Sequence, residues 1–267
     1  MAQAVEQQHV KVDLQGAVAW IRFNRPDRRN AIGTQARAEL AAALKQVEKD
    51  DAVRCIVLTG EGTAFSSGAD LRDFPTDVGN VPEHVGHILR DEYMAMILRM
   101  RSMPKPIIAA VNGVAAGIGL SFAMAADIRI ASEDASFVEL FVSRGLIPDG
   151  GATWLLPRLV GTGVALEMCL TGEPLSAADA HRLGLVNHVV PTAELETAAA
   201  ALAERLAAGA PLAIGAAKRA INHSLGSTLE EAMDYESYLQ EAMAGTSDFA
   251  EGVLAFIEKR APRFQGK

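Results

Sequence analysis

The residues with chemical potential in this sequence lie in two glycine-containing turns, each of which follows a predicted strand. The first is FSSGADL at 65–71, where Gly68 permits a backbone excursion that leaves the amide of Ala69 free to point at a ligand. The second is NGVAAGIGLS at 112–121, where small residues lead into an apolar helix whose first N–H groups have no intrahelical partner. Two converging N–H groups would suit an oxyanion that develops when a thioester carbonyl becomes an enolate. The alternative interpretation is a pair of ordinary helix caps.

Neither turn carries a phosphate-binding fingerprint. The dinucleotide-binding pattern GxGxxG and the P-loop pattern GxxxxGK[ST] are both missing from these segments. NAD binding and nucleotide hydrolysis therefore lose support.

The elements that would position these turns alternate between strands and helices. The first part of the chain predicts a hairpin at 10–23, a helix capped by Thr34 and a strand at 55–58. The pattern recurs as a helix around 92–101, a strand around 107–111, a helix after Gly119 and a strand around 128–131. This alternation predicts an α/β core.

The rest of the chain divides into a connecting stretch and a helical region. The stretch from Asp73 to Glu92, which includes His84, is rich in Pro, Gly and Asn and is predicted to lack regular structure, either as a lid or as exposed connecting chain. After Pro191 the pattern predicts helices at 194–208, 211–223, 229–244 and 248–259. Their apolar stripes favour packing on the core or on another subunit.

Composition excludes several classes of function. The 267 residues are 49% apolar and carry a formal net charge of −8, which predicts a folded globular chain and disfavours nucleic-acid binding. The uncharged stretch at 106–126 is long enough to cross a bilayer, but its glycines and Asn112 favour strand, turn and buried helix over a membrane span. The N-terminal segment carries no recognisable export or transit signal, so a cytoplasmic location is expected. Cys55 and Cys169 are expected to be small buried hydrophobic residues, and no metal site is expected.

Several segments resemble the crotonase, or enoyl-CoA hydratase/isomerase, superfamily in order and spacing. They are NRPDRRNA (24–31), FSSGADL (65–71), KPIIAAVNGVAAGIGLSFAMAADIRIAS (105–132) and LIPDGGATWLLPRLVG (146–161). The match continues through LSAADAHRLGLVNHVV (175–190) to EGVLAFIEKRAPRFQGK (251–267). The resemblance implies an acyl-CoA-binding core of stacked ββα turns at 1–195. It also implies a helical region at 196–267 that assembles the chain into a homotrimer or a dimer of trimers.

The resemblance further implies an oxyanion hole. Ala69 and Ile118 fall on the two positions whose backbone amides form it in the family, and the family often has Gly at the second. Because the role belongs to a backbone N–H, the Ile118 side chain need not abolish it, but it would narrow the acyl pocket or redirect the loop.

The expected substrate is an acyl-CoA thioester, with coenzyme A as part of the substrate and no separate cofactor. By the same resemblance, Lys259 reaches the CoA phosphates of a neighbouring subunit, and Arg28 or Arg29 replaces the basic residue that the family frequently has where Asp27 stands. Residues whose backbone is expected to face the CoA are Ala31, Gly68, Asp70 and Leu71.

The acid/base residues separate the reactions within the family. Members that hydrate a double bond use two glutamates, and the matching positions here are Ser121 and Phe141. Without that pair, the addition of water across C2=C3 lacks both a water-activating and a proton-delivering group. Glu139 would restore one of them only through a register shift, and is otherwise expected to be a solvated or structurally paired carboxylate.

Asp149 matches the site at which isomerising members carry a single acidic residue. It is the candidate that takes a proton from C2 or C4 of an acyl-CoA and returns it at the other carbon, while the oxyanion hole holds the dienolate. Its apolar neighbours, expected to be Phe137, Phe141 and Trp154, would raise its pKa. A role as N-cap of a helix that starts near Gly150 stays open beside the catalytic one.

The leading interpretation is therefore an acyl-CoA isomerase. The sequence resembles the family's isomerases for ring-1,2-epoxyphenylacetyl-CoA and Δ3,Δ2-enoyl-CoA, which implies a role in phenylacetate or fatty-acid breakdown. The alternatives are an enoyl-CoA hydratase that uses Glu139 and a non-catalytic acyl-CoA-binding subunit.

Overall fold

The computed structural model describes residues 8–73 and 85–267. The strands are β1 (Val10–Gln15), β2 (Val18–Phe23), β3 (Cys55–Gly60), β4 (Ala64–Ser66), β5 (Ile107–Val111), β6 (Val114–Ala116), β7 (Ile128–Ser132), β8 (Ser136–Val138), β9 (Leu175–Ser176) and β10 (His188–Val190). The helices are α1 (Thr34–Lys49), α2 (Met94–Ser102), α3 (Ile118–Ala125), α4 (Ala152–Val160), α5 (Thr162–Thr171), α6 (Ala177–Arg182), α7 (Leu195–Ala207), α8 (Pro211–Ser224), α9 (Leu229–Ala244) and α10 (Ser247–Glu258). A π-helical segment, Ile88–Tyr93, leads directly into α2.

The strands form a large and a small sheet, and from β3 to β8 successive strands of the chain alternate between them. The six-stranded sheet has the order β1-β2-β3-β5-β7-β10, and the four-stranded sheet has the order β4-β6-β8-β9. Apart from the β1–β2 hairpin and the β8–β9 pair, the strands run parallel. Each pair β3–β4, β5–β6 and β7–β8 thus places one strand in the large sheet and the next in the small sheet, which is the stacked ββα arrangement that the resemblance implies.

Both faces of the large sheet are covered, which explains why its central strands are continuously apolar. Every residue of β3 and β5 is buried. On one face the core contains Leu40 and Leu44 of α1, and on the other Trp20 and Val57 pack against Ala203 of α7. The two sheets are therefore held in fixed relation, and the loops that follow the strands of the small sheet start from rigid positions.

The residues at which helices begin were predicted less accurately than the presence of the helices. The structure puts Gly33 at the N-cap of α1 and Thr34 at its first helical position, so the predicted cap is wrong by one residue. The Thr34 N–H and hydroxyl instead contact the Asp73 carboxylate. The helix predicted after Gly119 begins at Ile118. The prediction that 73–92 lacks regular structure is also wrong in part, because residues 85–93 are helical. Residues 74–84, with His84, lie outside the described residues.

The C-terminal region forms α7 to α10, close to the predicted bounds. Within 8–73 and 85–267, no single helix is long and apolar enough to cross a bilayer; one bent pair, Thr192–Ala207 with Pro211–Ser224, meets the criteria of length and composition together. The stretch at 106–126 forms β5, β6 and α3, as predicted. Cys55 is buried, whereas Cys169 is only half-buried.

Candidate active site

The candidate site lies where three parallel strands of the small sheet end side by side. The chain leaves β4 toward Ala69, β6 toward Ile118 and β8 toward Phe141. Carboxyl ends of parallel strands meet at one edge, which is where ligands bind in open α/β sheets. Ala69, Ile118, Phe141 and Asp149 all line one cavity of about 90 Å³ at this edge.

Hydrogen bonding fixes the direction of the Ala69 amide. The Gly68 carbonyl accepts from the Ile32 N–H at 2.8 Å, and the Asp70 N–H donates to the Ile32 carbonyl at 3.1 Å. In a trans peptide the C=O and the next N–H point in opposite directions. The Ala69 N–H therefore points away from Ile32, and it donates to no described residue.

The Ile118 amide is aligned by the helix that it begins. The Gly117 carbonyl accepts from the Ser121 N–H at 3.0 Å in the first turn of α3, so the N–H on the other side of that peptide points out of the helix. The Gly117 N–H donates to the Val138 carbonyl of β8 at 3.0 Å, which ties this turn to the next strand. Like Ala69, Ile118 donates no backbone hydrogen bond within the described part of the chain.

Two glycines let the two turns approach each other closely. A Cβ on Gly119 would lie 2.7 Å from the Ser66 Cβ, and a Cβ on Gly68 would lie 2.9 Å from the Ala116 carbonyl oxygen. Gly68 also has a φ of +94°, which favours glycine. The turns after β4 and β6 can therefore lie this close only because residues 68 and 119 are glycines without a Cβ.

Asp149 reaches the cavity from the loop before α4. Its Oδ1 is buried and has no hydrogen-bond partner among residues 8–73 and 85–267. The residue is held through its main chain, because its carbonyl accepts from the Ser121 hydroxyl at 2.9 Å and from the Ala152 N–H at 3.0 Å. Gly151 is the N-cap of α4, and no side chain caps that helix. The alternative role of Asp149 as N-cap is therefore wrong.

Burial raises the pKa of Asp149 to about 7. Of the apolar neighbours predicted for it, Phe141 lines the cavity, but the other two do not. Phe137 is fully buried in the core, and Trp154 is 41% exposed with the Arg158 guanidinium 4.0 Å from its ring centroid. The cavity wall is instead completed by apolar residues from the π-helical segment and from the loop after β8: Ile88, Leu89, Leu140 and Leu146.

Glu139 differs most from expectation. The prediction of a solvated or structurally paired carboxylate is wrong: Glu139 is 0% exposed and neither of its oxygens has a hydrogen-bond partner among the described residues. Burial, together with the charge of Asp149, raises its pKa to about 8. Glu139 does not line the cavity. Among the described residues, Asp149 supplies the carboxylate there. The sequence gives no signal for this burial. Glu139 directly follows β8, and contacts with distant segments decide whether a residue at that position is buried.

The residues predicted to contact CoA fall into separate groups. Gly68 and Leu71 line the cavity beside Ala69. Asp70 is engaged by Arg72 at 2.7 Å and Arg25 at 2.9 Å, and these hydrogen bonds hold its pKa well below the usual range.

The remaining predicted CoA contacts do not line the cavity that contains Asp149. The Ala31 carbonyl accepts from Arg25 at 2.9 Å. Arg28 is exposed and lies 3.4 Å from Asp27, and Arg29 lines a different, polar cavity. Lys259 is exposed at the end of α10, and its expected contact with a neighbouring subunit stays a prediction.

Larger cavities occur elsewhere but lack this chemistry. One, of about 940 Å³, lies between α8, α9 and α10 and is lined mainly by Ala, Met and Phe side chains. Another, of about 620 Å³, is polar, but its Arg22 contacts Glu61 and Glu196. Within the described ranges, no group of three His, Cys, Asp or Glu side chains is arranged to hold a metal ion. The small cavity, as lined by the described residues, combines the unpaired Ala69 and Ile118 amides with the buried Asp149 carboxylate.

Known proteins share this fold and sequence over nearly the whole chain. The family model described as enoyl-CoA hydratase/isomerase matches residues 13–267. The 1,2-epoxyphenylacetyl-CoA isomerase of Escherichia coli is 42% identical over 250 residues, covering 94% of this chain and 95% of that protein. A probable enoyl-CoA hydratase of Rhodobacter capsulatus is 40% identical, covering 97% of this chain and 98% of that protein. A solved enoyl-CoA hydratase from Bacillus anthracis superposes with a TM-score of 0.92 at 35% identity, covering 97% of this chain and 100% of that one.

The chain belongs to the enoyl-CoA hydratase/isomerase family. The resemblance found in the sequence and the crotonase fold that it implies are both confirmed. Relatives of this crotonase-family enzyme include proteins named as isomerases and proteins named as hydratases. The reaction must therefore be argued from the side chains around the cavity.

Two residues of this crotonase site escaped the sequence analysis. Tyr93 lines the cavity, although the sequence indicated only a helix around it. Ser121 was considered only as a missing glutamate, yet its hydroxyl joins α3 to the loop that carries Asp149. A serine or a tyrosine in a helix carries no sequence signal for either role, because each depends on contacts with distant segments.

Proposed function

We propose that this enzyme is an acyl-CoA isomerase in which Asp149 moves a proton and the N–H groups of Ala69 and Ile118 stabilise the thioester enolate. The observation that carries the proposal is that Asp149 is the carboxylate, among the described residues, in the cavity lined by both amides. Its pKa of about 7 suits a group that must both accept and donate a proton near neutral pH.

The reaction balances with one carboxylate. Asp149 takes a proton from C2 of a 3-enoyl-CoA; the electron pair of that C–H bond forms a C1=C2 bond, and the π pair of the thioester carbonyl moves onto its oxygen. The N–H groups of Ala69 and Ile118 donate to this oxyanion. Asp149 then returns the proton at C4, so the double bond moves to C2=C3 without change of mass.

A ring epoxide on the acyl group is an equally suitable substrate. Rearrangement of an arene 1,2-epoxide to the seven-membered oxepin breaks the carbon–carbon bond shared by the two rings and also conserves mass. Such a reaction requires oxyanion stabilisation and one acid/base group. The 42% identity to a protein named 1,2-epoxyphenylacetyl-CoA isomerase supports this substrate.

The CoA portion of the substrate needs cations, because the chain has a net charge of −8. We propose that Arg28 or Arg29 and the partner subunit's copy of the Lys259 position supply them. Leu71, which is 52% exposed at the cavity mouth, offers an apolar contact to the tail.

Hydration is the second candidate, favoured by one observation. Glu139 is a buried acid with unpartnered oxygens, electrostatically coupled to Asp149. If it supplied the second carboxylate, the pair could activate water and deliver a proton. Its absence from the cavity wall makes isomerisation the better-supported reaction.

The test is a panel of thioesters analysed by mass spectrometry and NMR. The proposal expects a 3-enoyl-CoA or a ring-epoxide CoA ester to be converted without mass change, whereas hydration of crotonyl-CoA would add the mass of water. Asp149→Asn should lower turnover by about 100-fold or more while calorimetry still detects binding of the CoA ester. Glu139→Gln is the matched control and should retain isomerase turnover.

Two results would contradict this assignment. Hydration that disappears in Glu139→Gln would establish the second candidate. Tight binding of all three thioesters without conversion would indicate a non-catalytic acyl-CoA-binding subunit.

A further inference from the structure

The cavity contains a hydrogen-bond donor that isomerisation of a simple enoyl chain does not use. Tyr93 is 2% exposed, lines the cavity with Asp149, and has a hydroxyl whose proton finds no acceptor in 8–73 or 85–267, since the nearby Arg37 guanidinium can only donate to the phenol oxygen. A buried hydroxyl without an acceptor is unfavourable. Its presence in a wall that is otherwise largely apolar points to an acceptor that arrives with the substrate.

The Tyr93 ring is fixed by its neighbours. It packs against Phe122 in an edge contact, with centroids 6.1 Å apart, and the Arg37 guanidinium lies 5.9 Å from its centroid on another side. Arg37 itself is 3% exposed and is held by Glu92 at 2.5 Å. The phenol is therefore a positioned group rather than a freely rotating one.

The state of the hydroxyl is also defined. Burial raises the pKa of the Tyr93 phenol, and the nearby Arg37 charge offsets only part of that effect. The phenol keeps its proton at neutral pH and is a donor. Arg37 has only N–H groups and offers no acceptor for this proton.

Of the other polar side chains in the cavity wall, Asp149 makes no hydrogen bond to the Tyr93 hydroxyl, although its charge also raises the pKa of that phenol, and Ser67 and Arg144 have partners of their own. The Ser67 hydroxyl donates to the Arg28 carbonyl at 3.3 Å. Arg144 donates to the Leu140 carbonyl at 3.0 Å and to Ser143 at 2.7 Å. Tyr93 is thus a buried side chain of the described wall whose hydroxyl proton has no acceptor among the described residues.

We propose that the Tyr93 hydroxyl donates a hydrogen bond to an oxygen atom on the acyl group, separate from the thioester oxygen, and so selects oxygen-bearing acyl groups over hydrocarbon ones. This rests on the proposed function, because it assumes that the cavity receives the acyl end of a CoA thioester. A site with a buried donor discriminates against ligands that leave that donor unpaired.

Binding measurements test the proposal without requiring turnover. The probes are phenylacetyl-CoA and its 2-, 3- and 4-hydroxy derivatives, which differ by one oxygen atom. Calorimetry on the wild-type enzyme should give at least one hydroxy derivative with a Kd about tenfold or more below that of phenylacetyl-CoA. Tyr93→Phe should remove this preference and leave the Kd of phenylacetyl-CoA unchanged or lower.

Tyr238→Phe is the matched control, because it removes the same hydroxyl from a side chain that is 68% exposed on α9. It should keep the wild-type preference. Thermal unfolding of both variants separates loss of preference from loss of fold.

The proposal is overturned if no hydroxy derivative is preferred by the wild-type enzyme, or if Tyr93→Phe weakens all probes equally. The second result would mean that Tyr93 acts on a shared feature such as Asp149. Failure of the isomerase assignment would give a different result. In that case Asp149→Asn would leave turnover unaffected, and the wild-type enzyme would still bind a hydroxy derivative more tightly than phenylacetyl-CoA.

Discussion

Glu139 shows how one buried carboxyl group makes the stability of the protein depend on pH. Its pKa is raised to about 8 by burial and by the Asp149 charge. The unfolded chain therefore releases this proton at a lower pH than the folded enzyme does. Between about pH 4.5 and 8 the folded state binds more protons, so the free energy of unfolding falls as pH rises.

Glu139→Gln should therefore stabilise the protein at high pH only. Relative to wild type, we expect a gain on the order of 2–4 kcal/mol at about pH 9 that vanishes toward about pH 4. Chemical denaturation at both pH values measures it. The surface variant Glu133→Gln should give no pH-dependent difference, and a gain that is the same at both pH values would argue against an ionising Glu139.

The raised pKa of Asp149 leads to a prediction for the pH dependence of catalysis. The base must be deprotonated to accept the substrate proton, and burial raises its pKa to about 7. The kcat/KM of isomerisation should rise through an apparent pKa near that value and fall about tenfold per pH unit on the acid side. A profile that stays flat down to about pH 5 would be incompatible with Asp149 as the base.

The element that matters most for the site is α3, whose first turn touches the loop after β4. Gly119→Ala would put a Cβ 2.7 Å from the Ser66 Cβ, where neither backbone has room to yield. We expect a loss of about 1–3 kcal/mol in stability, because the packed contact must open. Turnover should fall at least about tenfold, because the two amides move apart.

Gly163→Ala is the matched control for that change. Gly163 lies in α5, where an added Cβ meets nothing within 4 Å. Alanine there should leave turnover unchanged and raise stability by a few tenths of a kcal/mol to about 1 kcal/mol. Equal losses from both variants would show that the contact with Ser66 is unimportant.

Sequence patterns predicted the positions of the strands and helices well, but they predicted poorly which side chains of these elements face the cavity. Buried apolar runs such as 55–58 and 107–111 identified the central strands, because sheet strands covered on both faces need them. Tyr93 was not identified as a site residue because it ends a π-helical segment, whose wider turn changes which side chains face the cavity. The Pro, Gly and Asn content of 73–84 also led the helical residues after it to be assigned as irregular.

At the scale of the whole molecule, the C-terminal helices leave large apolar side chains uncovered. Phe256 is 85% exposed and Ile257 is 69% exposed, and both belong to α10, which lines the apolar cavity of about 940 Å³. Exposed large apolar side chains clustered on one helix are typical of an interface between subunits. This exposure supports the predicted homotrimer or dimer of trimers as the assembled state.

Phe256→Glu should therefore weaken assembly. Sedimentation velocity of the wild-type enzyme should give the mass of three or six chains, and the variant should shift toward smaller species, because a charge would be buried at the interface. Leu14→Glu, on the β1 hairpin at a side chain that is 54% exposed, should not change the mass. A monomeric wild-type protein would contradict the prediction.

The hydrogen bond from Ser121 to the main chain of Asp149 has a consequence for regiochemistry. It joins the acid to the same helix that presents the Ile118 amide, so the separation between proton acceptor and oxyanion donor is set by the protein. For the proposed isomerase, we therefore expect acyl groups that differ only beyond C4 to meet the same reaction geometry. We expect groups that need deprotonation farther along the chain to be poor substrates, whatever their length.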